Sequence, residues 1–101
     1  MDEQETLLVN IRGRKFEVMR SVLNRFPQSK LALLNNESSS FRQNIKEHYF
    51  DTNAVLFDNI LDAYSNGEAH LPQSICLHQI QTQLEFWTLD ESIFAPCCWN
   101  R

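Results

Sequence analysis

Three cysteines and one histidine are the residues of this chain whose types and spacing are best suited to chemistry. His70 is followed by five residues and then Cys76, and after a further twenty residues come Cys97 and Cys98. Three thiolates and one imidazole form a complete tetrahedral ligand set for Zn²⁺, of the Cys₃His type. The sequence therefore predicts a zinc site made by these four residues.

The spacing of the four residues leaves open whether one chain or two chains complete the site. Zinc fingers and ribbons usually begin with two ligands that lie two to four residues apart and chelate from one loop. Here five residues, including Pro72, separate His70 from Cys76, and the adjacent side chains of Cys97 and Cys98 leave the backbone in different directions. Closure within one chain and closure between two chains both fit this pattern.

Three other roles for the cysteines compete with the zinc site. Cysteine is among the most buried residue types, so all three could be small core residues. A redox pair at Cys97-Cys98 would lack the C-x-x-C spacing and the βαβ frame typical of such sites. A thiol nucleophile at Cys76 or Cys98 would need a histidine base and a third orienting group, and no such group is evident. The pattern favours a metal site over an enzyme.

Composition and charge limit the class of protein. A length of 101 residues fits one domain, and 43% hydrophobic residues with 2 Gly and 3 Pro suit a packed globule. The net charge of −4 argues against nucleic acid or an anionic membrane surface as the main partner. The acidic N-terminus has no signal-peptide character, and no apolar run approaches the roughly 18 residues that span a bilayer. An odd cysteine count without a secretory signal favours a reducing compartment.

The elements that must position the four candidate ligands begin with a predicted β-hairpin. Apolar residues alternate on both sides of Arg12-Gly13, a two-residue turn in which glycine can adopt positive φ. Helical spacing follows over 19–26 and ends at Pro27. We further expect a helix over 30–34 capped by Ser29, a polar surface loop over 35–46 and a strand over 48–50.

The pattern of the second half of the chain predicts helices on both sides of the candidate ligands. An apolar face predicts a helix over 54–65, capped by Asp51 or Asn53 and ended by Gly67. Residues 69–71 are predicted to be extended and to deliver His70. We also expect a helix over 76–87 capped by Ser74, then a short helix over 91–94 capped by Asp90 and a break at Pro96. The other two histidines, His48 and His78, are expected at surface or boundary positions. Strands that precede helices indicate an α/β (α+β) domain, with a small sheet covered by helices.

These residues resemble a known family. The spacing H-x₅-C-x₂₀-C-C is similar to the zinc motif in the cytoplasmic tetramerisation domain of voltage-gated potassium channels outside the Shaker branch. The family's landmarks follow in order: Tyr49-Phe50-Asp51, Phe57-Asp58-Asn59-Ile60-Leu61, Gly67, Leu84-Glu85-Phe86-Trp87 and Pro96-Cys97-Cys98-Trp99. The Cys-Cys-Trp ending is most like the Shaw branch. The resemblance spans about residues 6–99 of a single domain that covers 1–101.

The resemblance implies a fold and a function. The fold would be the BTB/POZ-like tetramerisation domain, and the domain would join identical or same-subfamily subunits into a ring on the cytoplasmic face of the membrane. The channel's membrane part would follow Arg101, so this domain itself would not insert into the bilayer. Neither nucleic acid nor enzymatic turnover is expected.

The resemblance also implies how the zinc ligands are shared. His70, Cys97 and Cys98 would come from one subunit and Cys76 from its neighbour, with about one Zn²⁺ per subunit at each interface. Because cysteines bind zinc as thiolates, acid or oxidation would open such a ring.

Two positions depart from the family pattern. Thr52 stands where members commonly have an arginine at the subunit interface, and Thr88 stands where they often have a glycine. The chain could therefore form homotetramers or join other subunits as a modulatory one. An alternative function is a BTB-like adaptor that recruits a ubiquitin ligase, which does not need H-x₅-C-x₂₀-C-C. A membrane segment encoded after Arg101 would exclude the adaptor, and a second soluble domain there would exclude the channel.

Overall fold

A computed structural model describes residues 5–72 and 74–98, which form a four-stranded mixed sheet with helices. The strands are β1 (Thr6–Ile11), β2 (Arg14–Met19), β3 (Phe41–Arg42) and β4 (Glu47–Phe50), in the order β2-β1-β4-β3. β1 is antiparallel to β2 and parallel to β4, and β3 is antiparallel to β4. The helices are α1 (Arg20–Leu23), α2 (Ala54–Asn66) and α3 (Leu77–Trp87), followed by 3₁₀ turns at Glu91–Ile93 and Pro96–Cys98. Within the described ranges no helix has the length and apolar character needed to cross a bilayer.

The predicted hairpin is confirmed, and its turn has the backbone that two-residue hairpins favour. Arg12 and Gly13 both have positive φ, 52° and 96°, which is the pattern of a type I′ turn. Asn10 supports the turn, because its Oδ1 accepts a hydrogen bond from the Gly13 N–H at 2.6 Å. The Asn10 amide also donates to the Glu47 carboxylate at 2.8 Å, which links β1 to β4. Period-two alternation buries Leu7, Val9 and Ile11.

Helix α2 has the two ends that its sequence predicts. The Asn53 side chain is the N-cap and accepts a hydrogen bond from the Leu56 N–H at 3.0 Å. Gly67 ends the helix with φ 87°, and its N–H donates to the Ala63 carbonyl at 2.8 Å. A Cβ at Gly67 would also lie 2.9 Å from the Arg25 guanidinium, so both conformation and space favour glycine here.

Aromatic contacts hold the helices to the sheet. Phe16 on β2 packs edge-on against Phe57 on α2, with ring centroids 4.9 Å apart. Phe57 and Phe50 both contact Trp87 at the end of α3, at 5.0 and 4.9 Å. Burial of each such side chain stabilises the fold by about 1.5–3 kcal/mol. This cluster sets the position of α3 relative to the sheet.

Two predicted helices in the first half are corrected by the structure. The helix predicted over 19–26 is only the four residues of α1. β2 continues through Met19, and after Leu23 the chain forms turns, in which the Arg25 and Phe26 N–H groups donate to the carbonyls three residues before them. Residues 30–33 form turns, in which the Leu33 N–H reaches the carbonyls of Ser29 and Lys30, both at 3.2 Å, and no helix forms over 30–34. The Lys30 N–H donates to the Trp87 carbonyl at 3.0 Å, so the segment is held by the end of α3.

Further corrections concern boundaries and caps. The segment predicted as a loop over 35–46 contains β3. The N-cap of α3 is Cys76 rather than Ser74, and it makes no side-chain capping hydrogen bond. Asp90 caps as predicted, but the following helix is a 3₁₀ turn. Pro96 begins a second 3₁₀ turn, which suits a residue with fixed φ and no N–H to donate.

We predict that Thr88→Gly stabilises the domain. Thr88 ends α3 in the left-handed region, with φ 58° and ψ 49°, where a β-branched side chain is strained. The stability gained by removing this strain should exceed the loss caused by the greater flexibility of glycine in the unfolded chain. The free energy of unfolding should therefore rise by about 1 kcal/mol. Urea unfolding at one fixed protein concentration measures the change.

Gln79→Gly is the matched control, because Gln79 is exposed and lies inside α3. It should lower the free energy of unfolding by about 1 kcal/mol. Equal destabilisation by both substitutions would show that Thr88 is unstrained.

Candidate metal centre

A short backbone pairing joins the two segments that carry three of the candidate ligands. The Ala69 N–H donates to the Ile93 carbonyl at 3.0 Å, and the Ala95 N–H donates to the Ala69 carbonyl at 2.9 Å. Ala69 and Phe94 thereby form an isolated parallel bridge. The pairing brings the residue after Ala69 close to the turn that follows Ala95.

Alternation on this extended segment directs His70 outward. Ala69 and Leu71 are buried, with 3% and 4% of their surfaces exposed, whereas His70 is exposed. Successive side chains of an extended segment point to opposite sides, so two inward neighbours require an outward histidine. The predicted extended delivery of His70 is confirmed.

The 3₁₀ turn at Pro96–Cys98 brings a thiol to this histidine. Cys97 Sγ lies 3.8 Å from His70 Nδ1. Tetrahedral coordination with Zn–S of about 2.3 Å and Zn–N of about 2.0–2.1 Å implies a ligand separation of about 3.6 Å. The pair therefore has nearly the separation that two ligands of one zinc ion need.

The other two candidates are less fully described. The backbone of Cys98 belongs to the same turn as Cys97, but its side chain lies outside the described part of the chain, as does Trp99. Cys76 is exposed at the start of α3. Among the described side chains, no three of His, Cys, Asp and Glu lie close enough together to hold a metal ion. The structure thus brings His70 and Cys97 together and does not bring Cys76 to them.

The described candidate ligands lie at the surface, as one adjacent pair and one separate thiol. Cys76 and Cys97 are exposed, so a metal ion or a neighbouring chain can reach both. A histidine and a thiol at ligand separation suit a borderline-soft cation such as Zn²⁺ once the thiol has lost its proton. Chemically, the described residues can supply two ligands from one surface and a third from another.

His48 differs from its predicted position. It is buried on β4, with 1% of its surface exposed, and its Nδ1 lies 2.9 Å from Ser40 Oγ. Burial lowers the pKa of His48, and the positive charge of Arg20 lowers it further. The sequence did contain a signal for this burial. His48 lies two residues before the apolar Phe50 in a predicted strand, so both side chains point to the same side, and Phe50 is buried.

Comparison with known proteins decides the family. A family model described as the BTB/POZ domain matches residues 7–97. The chain belongs to the BTB/POZ domain family. The predicted BTB/POZ-like fold is therefore confirmed, in its form with a four-stranded sheet and helices.

Individual relatives of this BTB/POZ domain are potassium channels. It is 31% identical over 102 residues to the mouse voltage-gated potassium channel KCNC1, which aligns 97% of this chain and 20% of the channel. It is 31% identical over 98 residues to the potassium voltage-gated channel protein Shal of Drosophila melanogaster, covering 97% of this chain and 17% of that protein. The human A-type channel KCND3 is 29% identical over 98 residues, covering 97% and 15%. The chain spans about a fifth or less of the length of these relatives.

We predict that two exposed thiols of the metal-free domain react without denaturant. Cys76 and Cys97 are both exposed, so a chromogenic disulfide reagent should modify them in the folded protein. Cys76→Ser and Cys97→Ser should each remove one fast-reacting thiol from the absorbance trace. A native protein in which either substitution leaves the fast amplitude unchanged would contradict this exposure.

Proposed function

We propose that this domain assembles voltage-gated potassium channel subunits into tetramers at the cytoplasmic face of the membrane. The observation that carries the proposal is the similarity to channel proteins along 97% of this chain, within the BTB/POZ family. The tetrameric state and the selection of same-subfamily subunits are what the family resemblance implies.

Assembly outside the membrane has a physical rationale. Contacts between helices in lipid are only weakly selective, because no hydrophobic driving force distinguishes one apolar helix from another. A domain tethered to each subunit makes later contacts effectively intramolecular and raises their effective concentration. Mismatched domains would bury unpaired polar groups, which disfavours wrong partners.

We further propose that Zn²⁺ joins neighbouring subunits of the ring. His70, Cys97 and Cys98 would supply three ligands from one subunit, and Cys76 of the next subunit would supply the fourth. The 3.8 Å separation of His70 Nδ1 and Cys97 Sγ supports the first half-site. The exposure of Cys76 outside that pair supports its assignment to a different chain's site. Bound zinc would act structurally, by holding ligands from two chains together.

Thr52 bears on which subunits combine. Its side chain is 5% exposed, and its hydroxyl donates to Gln83 Oε1 on α3 at 2.5 Å. A neutral hydroxyl bonded within its own chain cannot replace the charge-assisted contact that arginine makes between family subunits. Homotetramers and mixed tetramers with same-subfamily subunits would therefore depend on other contacts.

We predict a zinc-dependent tetramer. Light scattering on a sizing column should give about four times 11.9 kDa, and metal analysis should give about one zinc per chain. A strong chelator should dissociate the ring, because removing the metal separates ligands on two chains. A metal-free tetramer would retain the assembly function and refute the zinc role, and a metal-free monomer would contradict both.

We also predict that two defective chains complement each other. A Cys76→Ala chain and a chain carrying His70→Ala, Cys97→Ala and Cys98→Ala should each fail to bind stoichiometric zinc. Mixed in equal amounts, they should recover about 0.25 zinc per chain if they assemble randomly and about 0.5 if they alternate. A site closed within one chain would recover none, so zinc-free mixed tetramers would refute the shared ligand set.

A further inference from the structure

His48 lies in a closed environment that suits only its neutral form. The imidazole is 1% exposed and packs against Phe41 on β3, with ring centroids 5.1 Å apart. Nδ1 is 2.9 Å from Ser40 Oγ, whereas Nε2 is buried and has no hydrogen-bond partner among the described residues. A neutral ring leaves one nitrogen unsatisfied, but a protonated ring would leave a charged N–H without a partner.

Charges around His48 further disfavour its protonated form. The positive charge of Arg20, the first residue of α1, acts on the imidazole and disfavours its protonated form. Arg20 lies 3.7 Å from Glu5 and donates to the Leu34 carbonyl at 3.0 Å, so it is held in place. A proton on His48 would bring a second positive charge to this site.

The opposite face of β4 carries its own charges. Glu47 is bound there by Asn10 at 2.8 Å and lies 3.6 Å from Lys15. Arg42 stacks over the Tyr49 ring at 4.1 Å on that same side. Side chains at 47 and 49 point away from the side chain at 48, so these groups do not offset a charge on the imidazole.

The element that His48 holds is small. β3 is a two-residue strand at the edge of the sheet, and β4 is its one strand partner in the described chain. The Phe41–His48 and Arg42–Glu47 pairs attach it to β4, together with the Arg42–Tyr49 stacking. Two flanking hydrogen bonds add to these, from the Tyr49 N–H to the Ser40 carbonyl at 2.9 Å and from the Lys46 N–H to the Arg42 carbonyl at 2.8 Å. Edge elements with few contacts open at a fraction of the global unfolding free energy.

We propose that His48 is a proton-sensitive latch: a proton bound to its imidazole releases Ser40 and β3 from β4. Release exposes the ring to water, where its charge is solvated, and makes β4 the edge strand of the sheet. The latch is independent of the proposed channel function and of the zinc site.

The pH range follows from linkage. In the released state the imidazole titrates near its ordinary pKa of about 6.5. In the closed state burial and Arg20 lower the pKa of His48. The released state therefore binds the proton more tightly, so the latch is closed above about pH 6.5 and loses stability as pH falls from there to the closed-state pKa.

Hydrogen exchange of single amides tests the latch. The protection factor of the Tyr49 amide, corrected for intrinsic exchange, should fall about tenfold per pH unit below about 6.5. The Ile60 amide, inside α2, should keep its protection over the same range. His48→Gln should abolish the pH dependence at Tyr49, because an amide can bond Ser40 but takes up no proton.

Two controls separate the latch from other titrations. His78→Gln changes an exposed histidine and should leave the Tyr49 profile unchanged. Cys97→Ser removes a ligand of the candidate metal centre and should also leave that profile unchanged. If His48→Gln fails to fold, the imidazole resonances of the wild-type protein report its titration directly. A His48 ring that titrates like His78 without loss of Tyr49 protection, or an unchanged profile in a folded His48→Gln, overturns the proposal.

Discussion

The two backbone hydrogen bonds made by Ala69 connect the segment before α3 to the segment around Phe94. Backbone groups that are buried must be paired, and this pairing satisfies them where no regular sheet continues. It also sets the register between the two segments, since Ala69 pairs with Phe94. The separation of His70 and Cys97 depends on that register, because a shift by one residue would turn one of these side chains into the interior. The proximity of His70 and Cys97 thus rests on a buried backbone pairing between Ala69 and the segment around Phe94.

The register in turn depends on the core. Leu71 and Phe94 are buried beside the pairing, and Trp87 at the end of α3 contacts both Phe50 and Phe57. Because Cys76 is the N-cap residue of α3, the packing of this helix also determines where the Cys76 thiol lies on the surface. In the proposed ring the same packing would hold a ligand for the neighbouring subunit.

Two histidines of this domain show how environment decides the role of one side chain. His70 is exposed beside a thiol, where its imidazole can offer a lone pair to a metal. His48 is buried beside a hydroxyl and an aromatic ring, where the neutral form is favoured. Protonation would disfavour both arrangements. At His70 a proton would compete with a metal for the imidazole, and at His48 a proton would place a charge on a buried ring. The two effects reside in different parts of the fold, so they can be separated by substitution.

Local patterns determined much of this domain. The Arg12-Gly13 turn, the α2 cap at Asn53 and the α2 end at Gly67 are confirmed, because each depends on the backbone preference or short-range hydrogen bonds of a few neighbouring residues. Tertiary structure decided what depends on distant partners: the turns after Ser29 held to Trp87, the strand β3 within a polar segment, and the burial of His48. The types of the candidate ligands could be predicted from the sequence. The approach of Cys97 to His70, however, required a backbone pairing between segments more than twenty residues apart. Hydrophobic periodicity carries no information about such pairings, because they are selected by the packing of the whole core.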